Sequence, residues 1–252
     1  MEEFERLVAE GLAAPVAGWD FSWFAGRAAE GRPPWGYQRL LARRLASAAV
    51  AVDLQTGGGE VLAGALRAAD AVPGRVVATE AWPPNLALAR TSLLPWAVDV
   101  VEATEDVVPL PGRSADLVSA RHPVRTPWDE VARVLRPGGL FCSQQVGAGT
   151  VREVTEALIG PFDVGTERLP STAAARAEAA GLEVARLETA SLPMTFDDVA
   201  AVIAFCRKVV WTVPDFSVER YRRPLRALHD RIVRDGPLRA TSERFLLECR
   251  KR

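Results

Sequence analysis

A glycine-rich turn lies within residues 52–60, VDLQTGGGE, directly after an apolar segment. Because glycine has no Cβ, the backbone of such a turn can approach a ligand closely, and the N–H groups at the start of a following helix favour anionic groups. The turn therefore predicts a nucleotide-binding loop. The dinucleotide fingerprint G-x-G-x-x-G requires a glycine at position 62, where the chain has Leu62, so the pattern disfavours a nicotinamide or flavin but leaves it open.

A second chemical group, the carboxylate of Glu80, ends the segment RVVATE at residues 75–80. A carboxylate at the end of the second parallel strand can accept hydrogen bonds from the ribose hydroxyls of a nucleoside. The alternative is an ordinary acid at the end of a strand, on the protein surface and without a ligand. The glycine-rich turn that precedes it favours the ligand-binding role.

Strand-like and helix-like segments alternate along most of the chain, which predicts βαβ units and a mainly parallel sheet. The predicted strands cover residues 48–54, 75–80, 97–103, 114–121, 140–147, 182–192 and 244–249. The predicted helices cover residues 58–70, 83–94, 126–135, 151–159, 171–180, 196–212 and 218–235. The predicted fold class is therefore α/β, with a doubly wound, mainly parallel sheet of seven strands.

Two further features follow in order along the chain: Glu102-Ala103 after the third predicted strand, and RVLRPGGLF at residues 133–141. Together with the turn and Glu80, they resemble the class I S-adenosylmethionine-dependent methyltransferases, in particular the methyltransferase type 11 or ubiquinone-biosynthesis-like branch. The resemblance covers residues 48–146 strongly and the remainder weakly. It implies a Rossmann-like methyltransferase fold, S-adenosyl-L-methionine as the cofactor, and transfer of a methyl group to a small organic acceptor.

In that family the glycine loop approaches the methionine part of the cofactor, the acid of the second strand holds the ribose, and residues after the third strand meet the adenine. The resemblance implies that the following residues bind the cofactor: Asp53, Gln55, Thr56, Gly57, Gly59, Glu80, Ala81, Glu102, Ala103, Thr104 and Arg121. It also divides the chain into a helical N-terminal lid outside the sheet, residues 1–45, and a methyltransferase domain, residues 46–252, with a helical insert at about 196–236.

Gln55 departs from the family pattern D/E-x-G-x-G-x-G, which has glycine at this position. Its amide can form hydrogen bonds, but its side chain can also crowd the methionine part of the cofactor. Three alternatives remain open. The amide is turned aside and the cofactor binds normally, the cofactor binds in a shifted pose, or binding is lost, which the retained glycines and Glu80 disfavour.

Polar residues at the ends of the predicted fourth and fifth strands are candidates for contact with the methyl acceptor. His122 follows the fourth strand, and an imidazole can take a proton from an acceptor hydroxyl or amine. The alternative, equally supported, is a structural hydrogen bond to backbone. Gln144 and Gln145 lie in the fifth strand, where successive side chains alternate between faces, so we expect at most one to face the crevice.

Aromatic residues are concentrated before residue 40, and they either close over the cofactor as a lid or pack on the sheet. Trp35 and Tyr37 are the preferred acceptor-binding candidates among them, because they lie nearest the sheet in sequence. The others are Trp19, Phe21, Trp23 and Phe24. In the insert, Arg207 and Trp211 are further candidates, whereas His229 on the basic helix is interpreted as structural.

Composition and charge bound the remaining possibilities. Residues 217–252 hold 11 Lys or Arg against 5 Asp or Glu, within a formal net charge of −1. Such a region can bind phosphate, but the favoured interpretation is a solvated helix face. The spacing of Cys142, Cys206 and Cys249 matches neither a zinc site nor a disulfide framework, so no metal site and a reducing compartment are predicted.

A cytoplasmic location is expected, because no apolar run reaches the roughly 18–20 residues that span a bilayer and the acidic start MEEFERLVAEGL is not a secretory signal. The acceptor is expected to be a small molecule methylated at oxygen, nitrogen or carbon. Three other hypotheses stay open: an RNA methyltransferase that uses the basic C-terminal region, a non-enzymatic cofactor-binding protein, and a nicotinamide enzyme. The sequence leaves the oligomeric state open.

Overall fold

The computed structural model describes residues 2–16 and 20–252. It divides the chain into two compact units, each built from three segments. The helical unit comprises residues 1–32, 148–165 and 191–243, and the sheet unit comprises residues 33–147, 166–190 and 244–252.

Helices and strands alternate through the described residues. The strands are β1 (Ala28–Glu30), β2 (Val50–Leu54), β3 (Arg75–Glu80), β4 (Asp99–Glu102), β5 (Ala115–Arg121), β6 (Leu135–Val146), β7 (Leu182–Phe196) and β8 (Leu238–Lys251). The helices are α1 (Glu3–Ala13), α2 (Tyr37–Leu45), α3 (Glu60–Ala68), α4 (Pro83–Leu93), α5 (Trp128–Val134), α6 (Arg152–Ile159), α7 (Pro170–Ala179), α8 (Val199–Lys208) and α9 (Val218–Asp235).

Eight strands form one mixed sheet in the order β1-β7-β8-β6-β5-β2-β3-β4. The pairs β2–β3, β2–β5, β3–β4 and β5–β6 are parallel, whereas β6 and β8 are antiparallel. The predicted α/β class with a mainly parallel, doubly wound sheet is confirmed. Strand order reverses between β2 and β5, and in open α/β sheets ligands bind at the carboxyl ends of the strands beside such a switch point.

The predicted strand count of seven was wrong by one. Residues Ala28–Glu30, assigned from sequence to a helical segment outside the sheet, form β1 and pair antiparallel with the end of β7, with Ala28 opposite Phe196. A strand of three residues carries no periodicity of its own, because its backbone hydrogen bonds depend on a partner about 170 residues away. Sequence patterns therefore do not reveal it.

The central strands of the sheet unit are buried on both faces, which explains their continuous apolar runs. Alternate residues of each strand enter different clusters: Ala51 packs with α2, α3 and α4, whereas its neighbour Val52 packs with α5 and α7. Leu45, Leu62 and Leu93 are fully buried on the first face. This packing holds β2, β3 and β5 in place. It therefore determines the positions of the side chains at their ends.

The helical unit has its own apolar core, to which α1, α6, α8 and α9 contribute. Gly11 in α1 allows a close approach to α8, since a Cβ at this position would lie 2.8 Å from Cβ of Ile203 and 2.9 Å from the carbonyl oxygen of Ala200. Helix α8 is capped by Asp198, which accepts a hydrogen bond from the N–H of Ala201 at 2.7 Å. None of the helices in the described part of the chain has the length and apolar character needed to span a membrane.

A buried acid on β8 provides a stability test for the sheet unit. Glu248 accepts hydrogen bonds from Nε and Nη2 of Arg44 at 2.8 and 3.1 Å. We expect Arg44→Ala to lower the free energy of unfolding by about 1.5–3 kcal/mol, the range for hydrogen bonds to charged groups, because it leaves a buried carboxylate with fewer donors. Urea denaturation measures this loss. The exposed neighbour Arg43→Ala is the control, and an equal loss in both variants would contradict the assignment.

Candidate functional site

The glycine-rich turn after β2 adopts left-handed backbone conformations at three positions. The φ angles are 52° at Gln55, 65° at Gly57 and 82° at Gly59. Glycine adopts this region without a steric penalty, whereas for a residue with a Cβ it costs roughly 1–2 kcal/mol. The family's glycine at position 55 is therefore explained by backbone geometry, and Gln55 occupies it under strain.

The Gln55 side chain forms two hydrogen bonds that offset this strain. Its Oε1 accepts from the N–H of Val124 and its Nε2 donates to the carbonyl of Arg125, both at 2.7 Å. The amide is thus turned aside onto the loop that follows β5, as in the first of the three alternatives. Gln55 joins the two loops on either side of the switch point, a role that its residue type alone did not reveal.

Glu80 ends β3 and holds the glycine-rich turn through its carboxylate. Oε2 accepts from the N–H of Gly57 at 2.8 Å, and Oε1 accepts from the N–H groups of Ala81 and Trp82 at 3.0 and 2.9 Å. The side chain is buried. Because a carboxylate offers about four acceptor positions, three backbone donors leave one for a further donor such as a ribose hydroxyl.

The start of α3 provides N–H groups suited to an anion. Its N-cap, Gly59, offers no side chain to accept hydrogen bonds from the first turn. Uncapped N–H groups at a helix start attract carboxylate or phosphate groups. The S-adenosylmethionine expected from the resemblance has such a carboxylate on its amino-acid part, so the turn, α3 and Glu80 together fit that cofactor.

Asp53, the acid that begins the family motif, is buried in β2. Its Oδ1 accepts a hydrogen bond from the Ser119 hydroxyl at 2.5 Å. Burial raises the pKa of Asp53 from its ordinary value of 3.8 to about 6, although the hydroxyls of Ser119 and Thr56 oppose the rise. Asp53 therefore joins β2 to β5 through the Ser119 hydroxyl.

The residues expected on the adenine side lie around the end of β4. Glu102 and Thr104 are exposed, and the N–H of Ala103 donates to the carbonyl of Glu80 at 3.2 Å, continuing the ladder beyond the strand. Arg121 is exposed at the end of β5. The structure thus brings Ala103 next to Glu80, and the contacts of these residues with a cofactor stay a prediction.

Asn85 is a candidate that the sequence patterns missed. It lies in the first turn of α4, five residues after Glu80, and only 2% of its surface is exposed. Its Oδ1 is buried without a hydrogen-bond partner among the described residues. The only signal in the sequence was a polar residue among apolar ones after two prolines.

Three of the predicted acceptor-site residues form a chain of hydrogen bonds in the sheet unit. Nε1 of Trp35 donates to Oε1 of Gln144 at 2.7 Å, and Nε2 of Gln144 lies 2.8 Å from Nε2 of His122. Burial lowers the pKa of His122 well below its usual value, with a further contribution from Arg121 and Arg244. The imidazole is therefore uncharged at neutral pH.

The remaining candidates of the sheet unit bond to nearby groups of the same unit. The Tyr37 hydroxyl lies 3.2 Å from the carbonyl oxygens of both Ala120 and Cys142, and burial raises its pKa well above the usual value. Nε2 of Gln145 donates to the Thr126 hydroxyl at 3.4 Å. Tyr37 thus joins α2 to β5 and β6.

The other aromatic and insert candidates belong to the helical unit. Arg207 donates through Nη1 to the carbonyls of Gly11 and Ala14, at 2.8 and 3.1 Å, where α1 ends. Trp211 is exposed, whereas Phe24 is buried and packs edge-to-face on Phe205. Trp19 lies outside the described residues. A lid role for these side chains stays a prediction.

Residues 52–143 match a family model described as "Methyltransferase domain". The match begins in β2, ends in β6, and contains the glycine-rich turn, Glu80 and His122. This segment is therefore similar to the methyltransferase domain, as the resemblance to the class I enzymes led us to expect. Methyl transfer is accordingly the general activity of this enzyme.

Solved structures of other proteins share the methyltransferase fold at low identity. The YcgJ protein of Bacillus subtilis is 17% identical, with 85% of this chain and 96% of that one covered and a TM-score of 0.60. A functionally unknown protein from Deinococcus radiodurans R1 is 20% identical over 100% of both chains, with a TM-score of 0.57. An S-adenosylmethionine-dependent methyltransferase from Mesorhizobium loti is 17% identical, covers 88% of this chain and 99% of its own, and has a TM-score of 0.54. No curated protein matches the sequence.

The raised pKa of Asp53 predicts a pH dependence of stability in the methyltransferase. Because the folded-state pKa of about 6 exceeds the ordinary 3.8, folding favours the neutral carboxyl, and this stabilisation is present at low pH and lost as the pH rises through 6. Relative to Asp53→Asn, the wild-type free energy of unfolding should fall by about 3 kcal/mol over that interval. Urea denaturation at several pH values tests this. The exposed Asp99→Asn is the control, and parallel pH curves for wild type and Asp53→Asn would contradict the shift.

The strain and hydrogen bonds at Gln55 predict different effects for two substitutions. Gln55→Ala removes both hydrogen bonds and keeps the left-handed penalty, so the free energy of unfolding should fall by about 1–3 kcal/mol. Gln55→Gly removes the same bonds but recovers about 1–2 kcal/mol of that penalty, so its loss should be smaller. Denaturation curves compare the two, and an alanine variant as stable as the glycine variant would refute the explanation.

Proposed function

We propose that this methyltransferase uses S-adenosyl-L-methionine to methylate a small organic acceptor at oxygen, nitrogen or carbon. The observation that supports this most strongly is the Glu80 carboxylate bound to the Gly57 N–H at the topological switch point, inside the segment that matches the methyltransferase domain. Three separate features suit a cofactor that combines a nucleoside with an amino acid. They are the glycine-rich turn, the uncapped start of α3 and the acid at the end of β3.

Different residues would bind different parts of the cofactor. The first turn of α3 would hold the amino-acid carboxylate, the remaining acceptor position of Glu80 would hold a ribose hydroxyl, and Glu102 with the backbone at Ala103 would meet the adenine. Thr56 and Ala81 flank these groups in sequence, so their backbone would line the same site.

The cofactor would supply a methyl group on a positively charged sulfur, which makes the methyl carbon electrophilic. The protein then needs mainly to align the acceptor with this carbon, since well-oriented reactants can gain about 7–11 kcal/mol of the barrier from proximity. His122, Gln144 and Trp35 form a rigid set of polar groups at the strand ends that is suited to orienting an acceptor.

The contacts of α9 favour a small acceptor over RNA. Arg222 pairs with Glu5 of α1, and Arg226 pairs with Glu2 and Glu5. Both arginines are thus used within the helical unit, which reduces the positive charge left for phosphates. An affinity for RNA that falls steeply with rising salt would reverse this preference.

The cofactor itself can be identified by thermal shift and calorimetry with S-adenosylmethionine, S-adenosylhomocysteine, NAD and NADP. Stabilisation by the first two alone would support the proposal. Stabilisation by NAD or NADP would favour the nicotinamide enzyme. Binding without turnover of a broad set of acceptors would favour the non-enzymatic alternative.

Glu80→Ala should weaken the binding of S-adenosylhomocysteine by about 1.5–3 kcal/mol, the cost of a lost hydrogen bond to a charged group. The substitution removes the acceptor for the ribose and also releases the Gly57 N–H, and both effects act in the same direction. Isothermal titration calorimetry measures the change.

Glu102→Gln serves as the comparison, because Glu102 is exposed and its replacement leaves the contact between Glu80 and Gly57 intact. A smaller loss is expected there. Unchanged affinity in Glu80→Ala, with the fold confirmed by circular dichroism, would remove the ribose assignment.

A further inference from the structure

We propose that His122 binds an oxygen of the methyl acceptor as a neutral hydrogen-bond donor through Nδ1–H, and that Trp35 and Gln144 are positioning residues that hold it in this tautomer. The inference rests on the proposed function and adds to it the chemical class of the acceptor. It also replaces proton abstraction by His122, one of the two roles that the sequence left open.

The indole N–H of Trp35 determines which group donates and which accepts in each of these hydrogen bonds. An indole nitrogen can only donate, so the side of the Gln144 amide that faces Trp35 is its oxygen. The NH₂ group of Gln144 therefore faces His122, 2.8 Å from Nε2. Nε2 must accept this hydrogen bond and carries no proton. The proton of the neutral ring is then on Nδ1.

Because Trp35 and Gln144 are buried, reversing the direction of these hydrogen bonds would be costly. The exposed fractions of Trp35 and Gln144 are 8% and 4%. A flipped amide would place its NH₂ group against the indole N–H and its oxygen against the Nε2 lone pair, leaving buried groups unsatisfied. The main chain of His122 is held in place as well, since its N–H donates to the carbonyl of Gln144 at 2.7 Å, with a φ of 54°.

Nδ1 remains for a ligand. None of the described residues of the chain forms a hydrogen bond with it, and the imidazole is only partly exposed. The lone pair that a general base would use is occupied by Gln144. His122 can therefore donate a hydrogen bond to the methyl acceptor. It cannot remove a proton from it without breaking the hydrogen bond with Gln144.

The charged groups near the His122 imidazole indicate which kind of atom the methyl acceptor presents to it. Burial is the main cause of the lowered pKa of His122, and the positive charges of Arg121 and Arg244 also contribute, so two guanidinium groups lie near the imidazole. An oxygen with negative or partial negative charge is favoured beside such groups. We infer that the acceptor presents a carboxylate, phenolate, enolate or carbonyl oxygen to His122 and arrives without a proton that this residue must remove.

The tautomer can be measured directly, because His122 and His229 are the two histidines of the chain. Two-bond ¹H–¹⁵N correlation spectra of uniformly labelled protein distinguish protonated from unprotonated ring nitrogens, and His122→Gln assigns the signals. We expect Nδ1 protonated, Nε2 unprotonated, and a pKa of His122 below its ordinary value. An Nε2–H tautomer, or an ordinary titration near 6.5, would overturn the tautomer assignment.

Two substitutions test the positioning residues. Trp35→Phe removes the donor that orients the amide, and mixed tautomers of His122 should result. Gln144→Glu places a carboxylate against Nε2, so the pKa of His122 should rise and Nε2 should carry a proton. Gln145→Glu is the control, because the Gln145 amide bonds to Thr126. An unmoved His122 signal in both test variants would overturn the positioning role.

A formate titration in the presence of S-adenosylhomocysteine tests the ligand. Formate is the smallest carboxylate, and its binding should shift the Nδ1 and attached proton signals of His122 in a saturable way, with no such shift at His229. Absence of a shift would overturn the oxygen-ligand assignment. Failure of S-adenosylhomocysteine to bind would instead overturn the proposed function, while the tautomer result would stand by itself.

Discussion

The hydrogen bonds of the Glu80 carboxylate are the constraint on which the geometry of the site depends. One side chain accepts from the backbone N–H groups of Gly57, Ala81 and Trp82, and so joins the glycine-rich turn after β2 to the segment that leads into α4. Backbone donors offset the cost of burying a carboxylate, since a charged group accepts stronger hydrogen bonds than a neutral one. The turn is thereby held in its conformation before any ligand binds.

Position 55 shows how the same turn accommodates a residue that the family pattern excludes. A left-handed φ at Gln55 is unfavourable, but the amide gains two hydrogen bonds with the backbone of Val124 and Arg125. The strain and the bonds are of similar size, so the substitution is tolerated. Its consequence is a coupling between the glycine-rich turn and the loop that carries His122, which a glycine at this position would not provide.

The sequence predicted the parts of the fold that depend on local patterns. β3 and α9 begin and end as predicted, and the interior strands β2 and β5 were found because continuous apolar runs between turn residues are sufficient to identify buried strands. Glu80 lies at the end of β3, as predicted. By contrast, β1 depends on its partner strand, and the bond between Trp35 and Gln144 joins residues 109 positions apart. Such contacts are set by tertiary packing, which periodicity does not encode.

The two glutamines of β6 illustrate why sequence predicts the position of a side chain but not its hydrogen bonds. Alternation along the strand predicts opposite directions for Gln144 and Gln145, and their partners differ accordingly: His122 for the first and Thr126 for the second. The residue type gives no proton positions, because an amide can donate or accept on either side. Only the indole of Trp35, which can donate and not accept, breaks this symmetry. The chemistry available at His122 is therefore decided by a tryptophan that reaches the imidazole solely through Gln144.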